Sequence, residues 1–220
     1  MLKIENTEVY GWEAAIRGMR NPMNSWDKSD SEFWVEECST HIGENDLKLM
    51  KSLSKAGNDH AKFLRFINVT VDITAPLYWW KEFDTYKVGT VANSCSTMHK
   101  IHAKEFELDD FSHEQLFDGV DLFEGESDME YYENPTTCLA YTVRVLNYYR
   151  KKFIETKDKR YWWQMIQLLP SSYNQKRTVQ LNYQVLKAMN SRDPHKLDEW
   201  AMLIKWRNEL PYYNEICNQK

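Results

Sequence analysis

The sequence predicts an α+β fold, helix-rich in its second half, and three observations predict it. Asn68-Val69-Thr70-Val71-Asp72-Ile73-Thr74 alternates with period two and is rich in β-branched residues, the mark of a strand. Leu139, Val143, Leu146 and Tyr149 recur at helical spacing. No internal repeat, low-complexity tract or interdomain linker divides the 220 residues, so one domain spanning 1–220 is expected.

Each element follows from a local pattern. Leu2 to Tyr10 alternates loosely and reads as an opening strand, and Trp12 to Ile16 starts a short helix. Asn21-Pro22 breaks that helix, because asparagine and proline favour turns. Lys28 to Glu37 is polar and acidic and reads as a loop. Leu47, Leu49, Met50 and Leu53 form an amphipathic helix closed by Gly57, and a second short helix carries His60, Phe63 and Leu64. After strand 68–74, Ala75-Pro76 opens the next helix, where proline is tolerated because that amide has no helical partner. A polar loop, Asn93 to His99, follows. Asp109 to Glu133 is acidic, poorly periodic and reads as a surface excursion. The remainder reads as helices over Pro135 to Phe153, Tyr161 to Leu169, Tyr173 to Asn190 and Leu197 to Leu210, interrupted by Pro170 and ended by Pro211.

Composition narrows the function classes. A net charge of −5, with no basic run longer than Arg150-Lys151-Lys152, argues against a nucleic-acid duplex as partner. A free nucleotide needs only a few placed cations and stays open. Nine Trp and thirteen Tyr point to a subunit interface or a planar-ligand pocket, the interface being the simpler use. The four cysteines, Cys38, Cys95, Cys138 and Cys217, form no CxxC pair. Reduced thiols, the lack of a signal-peptide pattern at the N-terminus and the lack of a membrane-length apolar run place the chain in the cytoplasm, off the membrane.

Several motifs together resemble the flavin-dependent thymidylate synthases, which methylate dUMP using a folate and FAD. They are Phe63-Leu64-Arg65-Phe66, Ala75-Pro76-Leu77-Tyr78-Trp79-Trp80, Asn93-Ser94-Cys95-Ser96 and Leu168-Leu169-Pro170, with Asn182 twelve positions after Pro170 as in the family. The resemblance extends to about Leu210 and implies that family's fold, helix-rich with a small, mainly antiparallel sheet. By resemblance His60, Arg65, Asn182 and His195 would hold FAD, and Arg192 the nucleotide. Ser96 falls at the motif serine if one residue is inserted, and Cys95 on a gapless count; Ser96 keeps the family's asparagine-to-serine spacing. An exposed Asn182, an Arg192 paired with Asp193 or Asp198, and a structural His60 are the competing readings.

The departures lie at the chemistry. The family's Arg-His-Arg triplet falls on Thr85-Tyr86-Lys87, a glutamine before it becomes Glu82, and two further arginines fall on Met98 and Ile166. Lys87 supplies a point charge where a planar fork is the rule. Removing one arginine from a phosphate weakens binding by roughly 1.5–3 kcal/mol. Lys87 and Ser96 are candidate catalytic residues, and Glu82, Tyr86 and Arg192 candidate substrate contacts. The resemblance implies FAD, with NADPH and methylenetetrahydrofolate as co-substrates, and a homotetramer whose sites lie between subunits. It leaves three functions open: one-carbon transfer and reduction on dUMP or an altered pyrimidine nucleotide, a non-catalytic binding or assembly module of phage type, and an enzyme for a less phosphorylated substrate.

Weaker signals remain. His99, His102 and Glu105 would share a face if their segment were helical, and could ligate a divalent metal; a solvated face is the simpler reading, and no metal is expected. Cys95 could be a nucleophile if Lys87 or His99 stabilised its thiolate, against the simpler reading of an inert cysteine. The clusters Tyr78-Trp79-Trp80 and Tyr161-Trp162-Trp163 are read as core or interface rather than stacking platforms.

Overall fold

The structure, a computed structural model, describes residues 2–34, 39–117, 134–191 and 197–218. In chain order its elements are β1 (Lys3–Tyr10), α1 (Trp12–Arg20), β2 (Glu32–Trp34), β3 (Ser39–His41), α2 (Glu44–Lys55), β4 (Asn68–Pro76), α3 (Leu77–Phe83), β5 (Val91–Ser94), α4 (Thr97–Lys100), α5 (Pro135–Thr156), α6 (Lys159–Leu168), β6 (Asn174–Asn182), α7 (Tyr183–Ala188), α8 (Asp198–Asn208) and α9 (Tyr213–Cys217). A four-stranded sheet has the order β1-β4-β6-β5, and β2 pairs antiparallel with β3 as a separate ribbon. The chain divides into two compact units, one of Thr74–Phe83 and Ser94–Arg177, the other of Leu2–Ile73, Asp84–Asn93 and Thr178–Lys220.

β1, β4, α1, α2, α5, α6 and α8 stand where periodicity predicts them. The largest departure is β6. Residues 174–182, expected to be helical, form a strand, and only Tyr183–Ala188 continues as helix. Gln175, Val179 and Leu181 are buried while Thr178 and Gln180 are exposed, a period of two. Helix propensity separates Lys, Arg and Gln from strand formers by about 0.7 kcal/mol each at most, and an inner position in a sheet outweighs it. Ala75 and Pro76 complete β4 instead of opening α3, because alternation continues with Ala75 fully buried. Glu32–Trp34, expected as loop, pairs with Ser39–His41. The Asn93 to His99 stretch begins in β5 and ends in α4, and α9 follows Pro211 without a prior signal. In the acidic excursion, residues 118–133 lie outside the described residues.

The unit containing Leu2–Ile73 is built on β4. Val69, Val71 and Ile73 on one face are fully buried. Tyr183 lies edge-on to Trp12 at 5.5 Å and to Tyr213 at 5.4 Å. Its hydroxyl donates to the Pro211 carbonyl at 2.6 Å, so the buried polar tip is satisfied. In the other unit, Leu139 and Leu146 of α5 and Met165 of α6 close on Ile101, Phe106 and Phe111. Asn147 clamps that contact, accepting from the Phe106 amide at 2.9 Å and donating to its carbonyl at 2.8 Å.

A buried ion pair ties α1 to α2. Arg20 Nε donates to Asp46 Oδ1 at 2.7 Å, with both side chains buried. The guanidinium also donates to the carbonyls of Ser25 at 3.0 Å and Lys28 at 2.9 Å. Asp46 Oδ2 accepts from the hydroxyls of Ser29 and Ser31 at 2.8 and 2.7 Å and from the Asp30 amide at 3.1 Å. Gly43, the first residue flanking α2, has no capping side chain. Asp30 caps the helix from outside, accepting the amides of Asn45 and Asp46 at 2.9 and 3.1 Å.

Asp46→Ala leaves the Arg20 guanidinium buried without its counter-charge and is expected to cost about 3–5 kcal/mol. Burial pushes the Asp46 pKa up, but the Ser31, Ser29 and Arg20 hydrogen bonds and the Asp30 amide outweigh it and hold the carboxyl below its ordinary value. The stabilisation is therefore complete above the unfolded carboxyl's pKa near about 3.9 and is lost as pH falls through the lower folded-state value. Urea unfolding of wild type and variant at neutral pH should show the full gap, and the gap should shrink in strong acid. Equal midpoints at neutral pH would remove the pair from any account of stability.

Candidate functional site

The loop from Asp84 to Thr90 and the junction between β6 and α7 meet at Gly89. That glycine has φ +81°, a left-handed conformation that disfavours side chains. A Cβ there would stand 3.1 Å from both Asn182 Nδ2 and Val185 Cγ2. The backbone thus comes up against the Asn182 carboxamide because residue 89 has no side chain. Asn182 sits at the end of β6 as the N-cap of α7, with its Oδ1 accepting the Val185 amide at 3.1 Å. It caps the helix instead of standing within one, as the sequence had implied. With Oδ1 engaged, Nδ2 has no acceptor among the described residues.

Three further polar atoms in this unit are buried without partners among the described residues: the Thr90 hydroxyl, next to Gly89 in sequence, Gln184 Oε1, and Arg207 Nη1 in α8. Gln184 donates through Nε2 to Asn58 Oδ1 at 3.1 Å. Asn58 leads into the 3-10 turn Ala61–Arg65, on which α7 packs. His60 is the first residue flanking that turn and is exposed; Arg65 ends it, exposed and with no ion-pair partner among the described residues. Tyr86 is half-buried, 6.2 Å from the Trp200 ring, and Lys87 is exposed. Asn58, Gly89, Thr90 and Gln184 were not singled out by the sequence. Only the glycine carried a signal, as a turn residue close behind the expected triplet.

The remaining expected residues fall elsewhere. Ser96 is in the other unit, as the N-cap of α4, accepting the His99 amide at 3.1 Å with its hydroxyl 3.3 Å from His99 Nδ1. The exposed Cys95 is fixed by its backbone, donating to Lys176 O at 2.9 Å and accepting from Gln175 Nε2 at 2.8 Å. Glu82 is half-buried near the end of α3. Arg177 lies over the Trp80 ring, its guanidinium carbon 4.1 Å from the centroid. Trp79 and Trp80 are core, as expected. Arg192 and His195 lie outside the described residues. His99, His102 and Glu105 do not share a helical face, because α4 stops at Lys100, and no metal-binding cluster occurs among the described residues.

Gly89→Ala is expected to destabilise by about 1–2 kcal/mol, from the left-handed backbone and the 3.1 Å contacts together. Thermal unfolding followed by circular dichroism measures it. An unchanged melting temperature would mean that the loop moves away from Asn182 freely.

No family model matches the chain, and no curated protein matches it. Solved structures do. Thymidylate synthase X (ThyX) from Helicobacter pylori with FAD and dUMP aligns at a TM-score of 0.65 and 16% identity, over 99% of this chain and 97% of that one. A second complex of the flavin-dependent H. pylori enzyme with FAD and dUMP aligns at 0.64 and 15% identity, over 98% and 97%. The UMP/dUMP methylase PolB from Streptomyces cacaoi, bound with 5-Br dUMP, aligns at 0.60 and 13% identity, over 98% and 93%. The chain has the α+β fold of the flavin-dependent thymidylate synthases along nearly all of its length.

Proposed function

We propose that the protein is an FAD-dependent enzyme acting on a pyrimidine nucleotide, by one-carbon transfer and reduction on dUMP or an altered substrate. The observation that carries this reading is the near-complete overlap with ThyX bound to FAD and dUMP. The residues fit the cofactor: the Asn182 Nδ2 donor, the Thr90 hydroxyl and Gln184 Oε1, unpartnered among the described residues, offer hydrogen bonds to a heteroaromatic edge. Arg65 offers an exposed cation to a diphosphate, and His60, at the other end of the same turn, and His195 would add the cofactor contacts that the resemblance implies. The flavin, when bound and reduced, supplies hydride; the protein supplies orientation and charge. Lys87 neutralises a substrate phosphate with Arg192, and Tyr86 packs on the base; Glu82 as a substrate contact and Ser96 as a catalytic hydroxyl, both in the other unit, rest on the resemblance alone. Methylenetetrahydrofolate is the carbon donor and NADPH the reductant in this reading. The chain works as one domain in a cytoplasmic homotetramer, an assembly that the exposed aromatics Tyr141, Tyr148 and Trp163 suit.

A second reading has its own observation. Ile166, where the family carries an arginine, packs half-buried against the core of α5 and α6, and Met98 is a surface side chain. A non-catalytic nucleotide-binding or assembly module, of phage type, would need neither cation.

Absorbance between 300 and 550 nm after FAD addition and desalting separates the two. A retained flavin band that dUMP or UMP perturbs is the expected result; a well-folded protein without one sinks the enzyme reading. Asn182 variants refine it. Asn182→Ala loses the cap and is expected to cost about 0.5–2 kcal/mol. Asn182→Asp keeps a capping oxygen but removes Nδ2, and should bind FAD at least about tenfold more weakly at near-normal stability. Equal FAD affinity in Asn182→Asp and wild type would confine Asn182 to capping.

A further inference from the structure

The hairpin of α5 and α6 concentrates positive charge. The eleven residues from Arg150 to Arg160 carry six cations and two carboxylates, in a chain of net charge −5. Both carboxylates are engaged, Glu155 with Lys152 at 3.4 Å and Asp158 with Arg160 at 2.6 Å. Arg150 is tied down, donating from Nε to the His102 carbonyl at 3.0 Å. Lys151, Lys157 and Lys159 are exposed and form no ion pair among the described residues. Helix dipoles account for little of this. The C-terminus of α5 suits Lys157, but that attraction fades within the last turn, and Lys159 and Arg160 open α6, where the dipole favours anions.

Aromatic rings stand among these cations, and direct contacts fix where both lie. Lys152 Nζ is 6.0 Å from the Tyr148 ring centroid, and Lys159 Nζ is 5.7 Å from that of Trp162 and 5.8 Å from that of Trp163. The Trp162 indole donates to the Met98 carbonyl at 3.2 Å, and Tyr149 stacks on Tyr161 at 6.2 Å to join the two helices. Tyr148 and Trp163 are left outward, 56% and 43% exposed. A groove of about 620 Å³ lies along α5 at Tyr148, lined also by Tyr141, Arg144 and Lys151, with Glu105 the single carboxylate among its lining residues. Tyr141 and Tyr148 are two turns apart on α5, about 10 Å along its axis, a span that one base does not cover.

We propose that this face of α5 and α6 binds single-stranded nucleic acid without sequence preference. Tyr148 and Trp163 offer faces on which bases stack, Tyr141 supplies a further ring, and Arg144, Lys151 and Lys159 meet the phosphates between them. The chain charge that argues against a duplex is an average, and the excess here is local. A duplex also keeps its bases stacked on one another, out of reach of these rings. Subunit assembly competes for Tyr148 and Trp163, and charge favours the strand: a two-fold contact would set the cations of one copy against those of the other. The face uses none of the residues assigned to the flavin or the nucleotide, so this proposal and the enzyme reading fail separately.

The test is fluorescence anisotropy of labelled oligothymidylate and oligouridylate, each of about 16 nucleotides, titrated with the full chain. Saturable binding is expected, its log affinity falling by about 0.7 per phosphate contact for each unit of log salt. The relative affinities assign DNA, RNA or both. Tyr148→Ala/Trp163→Ala, changed only at exposed positions, should melt like wild type and bind at least about fivefold more weakly at an unchanged salt slope, because stacking is lost and charge is not. Lys151→Gln/Lys159→Gln should flatten the slope by about 1.4, the share of two contacts. The proposal is overturned if neither oligonucleotide binds saturably, or if a duplex of the same length or polyglutamate binds as tightly. It is overturned also if the Tyr148→Ala/Trp163→Ala variant binds like wild type, or sediments as a smaller oligomer than wild type, which would give the rings to assembly.

Discussion

The inner strands β4 and β6 are the constraint on which the fold depends. Both lie inside the four-stranded sheet, and both deliver a helix at their C-terminal ends. β4 fixes where α3 begins, and β6 fixes Asn182 at the start of α7. Along the exposed face, Thr178 Oγ1 donates to Asp72 Oδ1 at 2.6 Å, a contact that a slip of one residue would abolish. Such a slip would also turn Val69, Val71 and Ile73 away from the core, so register is specified from both faces. The Asn182 carboxamide comes to Gly89 because the strand holding it cannot shift.

Polar groups fall into two kinds. Around Arg20 and Asp46 the hydrogen bonds are closely met: the guanidinium is shared among a carboxylate and two carbonyls, and the carboxylate accepts from two hydroxyls and an amide. Such a cluster organises loops and caps and leaves little capacity for a ligand. Around Gly89 and around His102 the opposite holds. Thr90, Gln184 and His102 each keep a buried polar atom unmatched among the described residues. Burying an unpaired group costs about 1–3 kcal/mol, so each such atom is a cost that the packing around it offsets.

The fold class, and most helices and strands, were legible in local patterns. Alternation from Asn68 and the apolar series of α5 each state their own structure, because hydrophobic period reports which faces are buried. For the site, the sequence offered Cys95 or Ser96 for the motif serine, and Asn182 by its distance from Pro170. What the polar side chains do is another matter. A hydrogen bond joins residues far apart in the chain, and nothing in the local pattern of Asp30 announces that it caps a helix starting at Glu44.

Residue order alone was enough to establish that the chain is α+β and where most helices run. Packing in three dimensions was needed to make 174–182 a strand and to set Asn182 as the cap of α7 against Gly89. It was needed also to bring Arg150 to the His102 carbonyl, and to end α4 at Lys100, so that His102 shares no helix face with His99 and Glu105. Propensity over a few residues is worth tenths of a kcal/mol and yields to a neighbouring strand. Side-chain partners are set by packing between segments distant in sequence, which no local window contains.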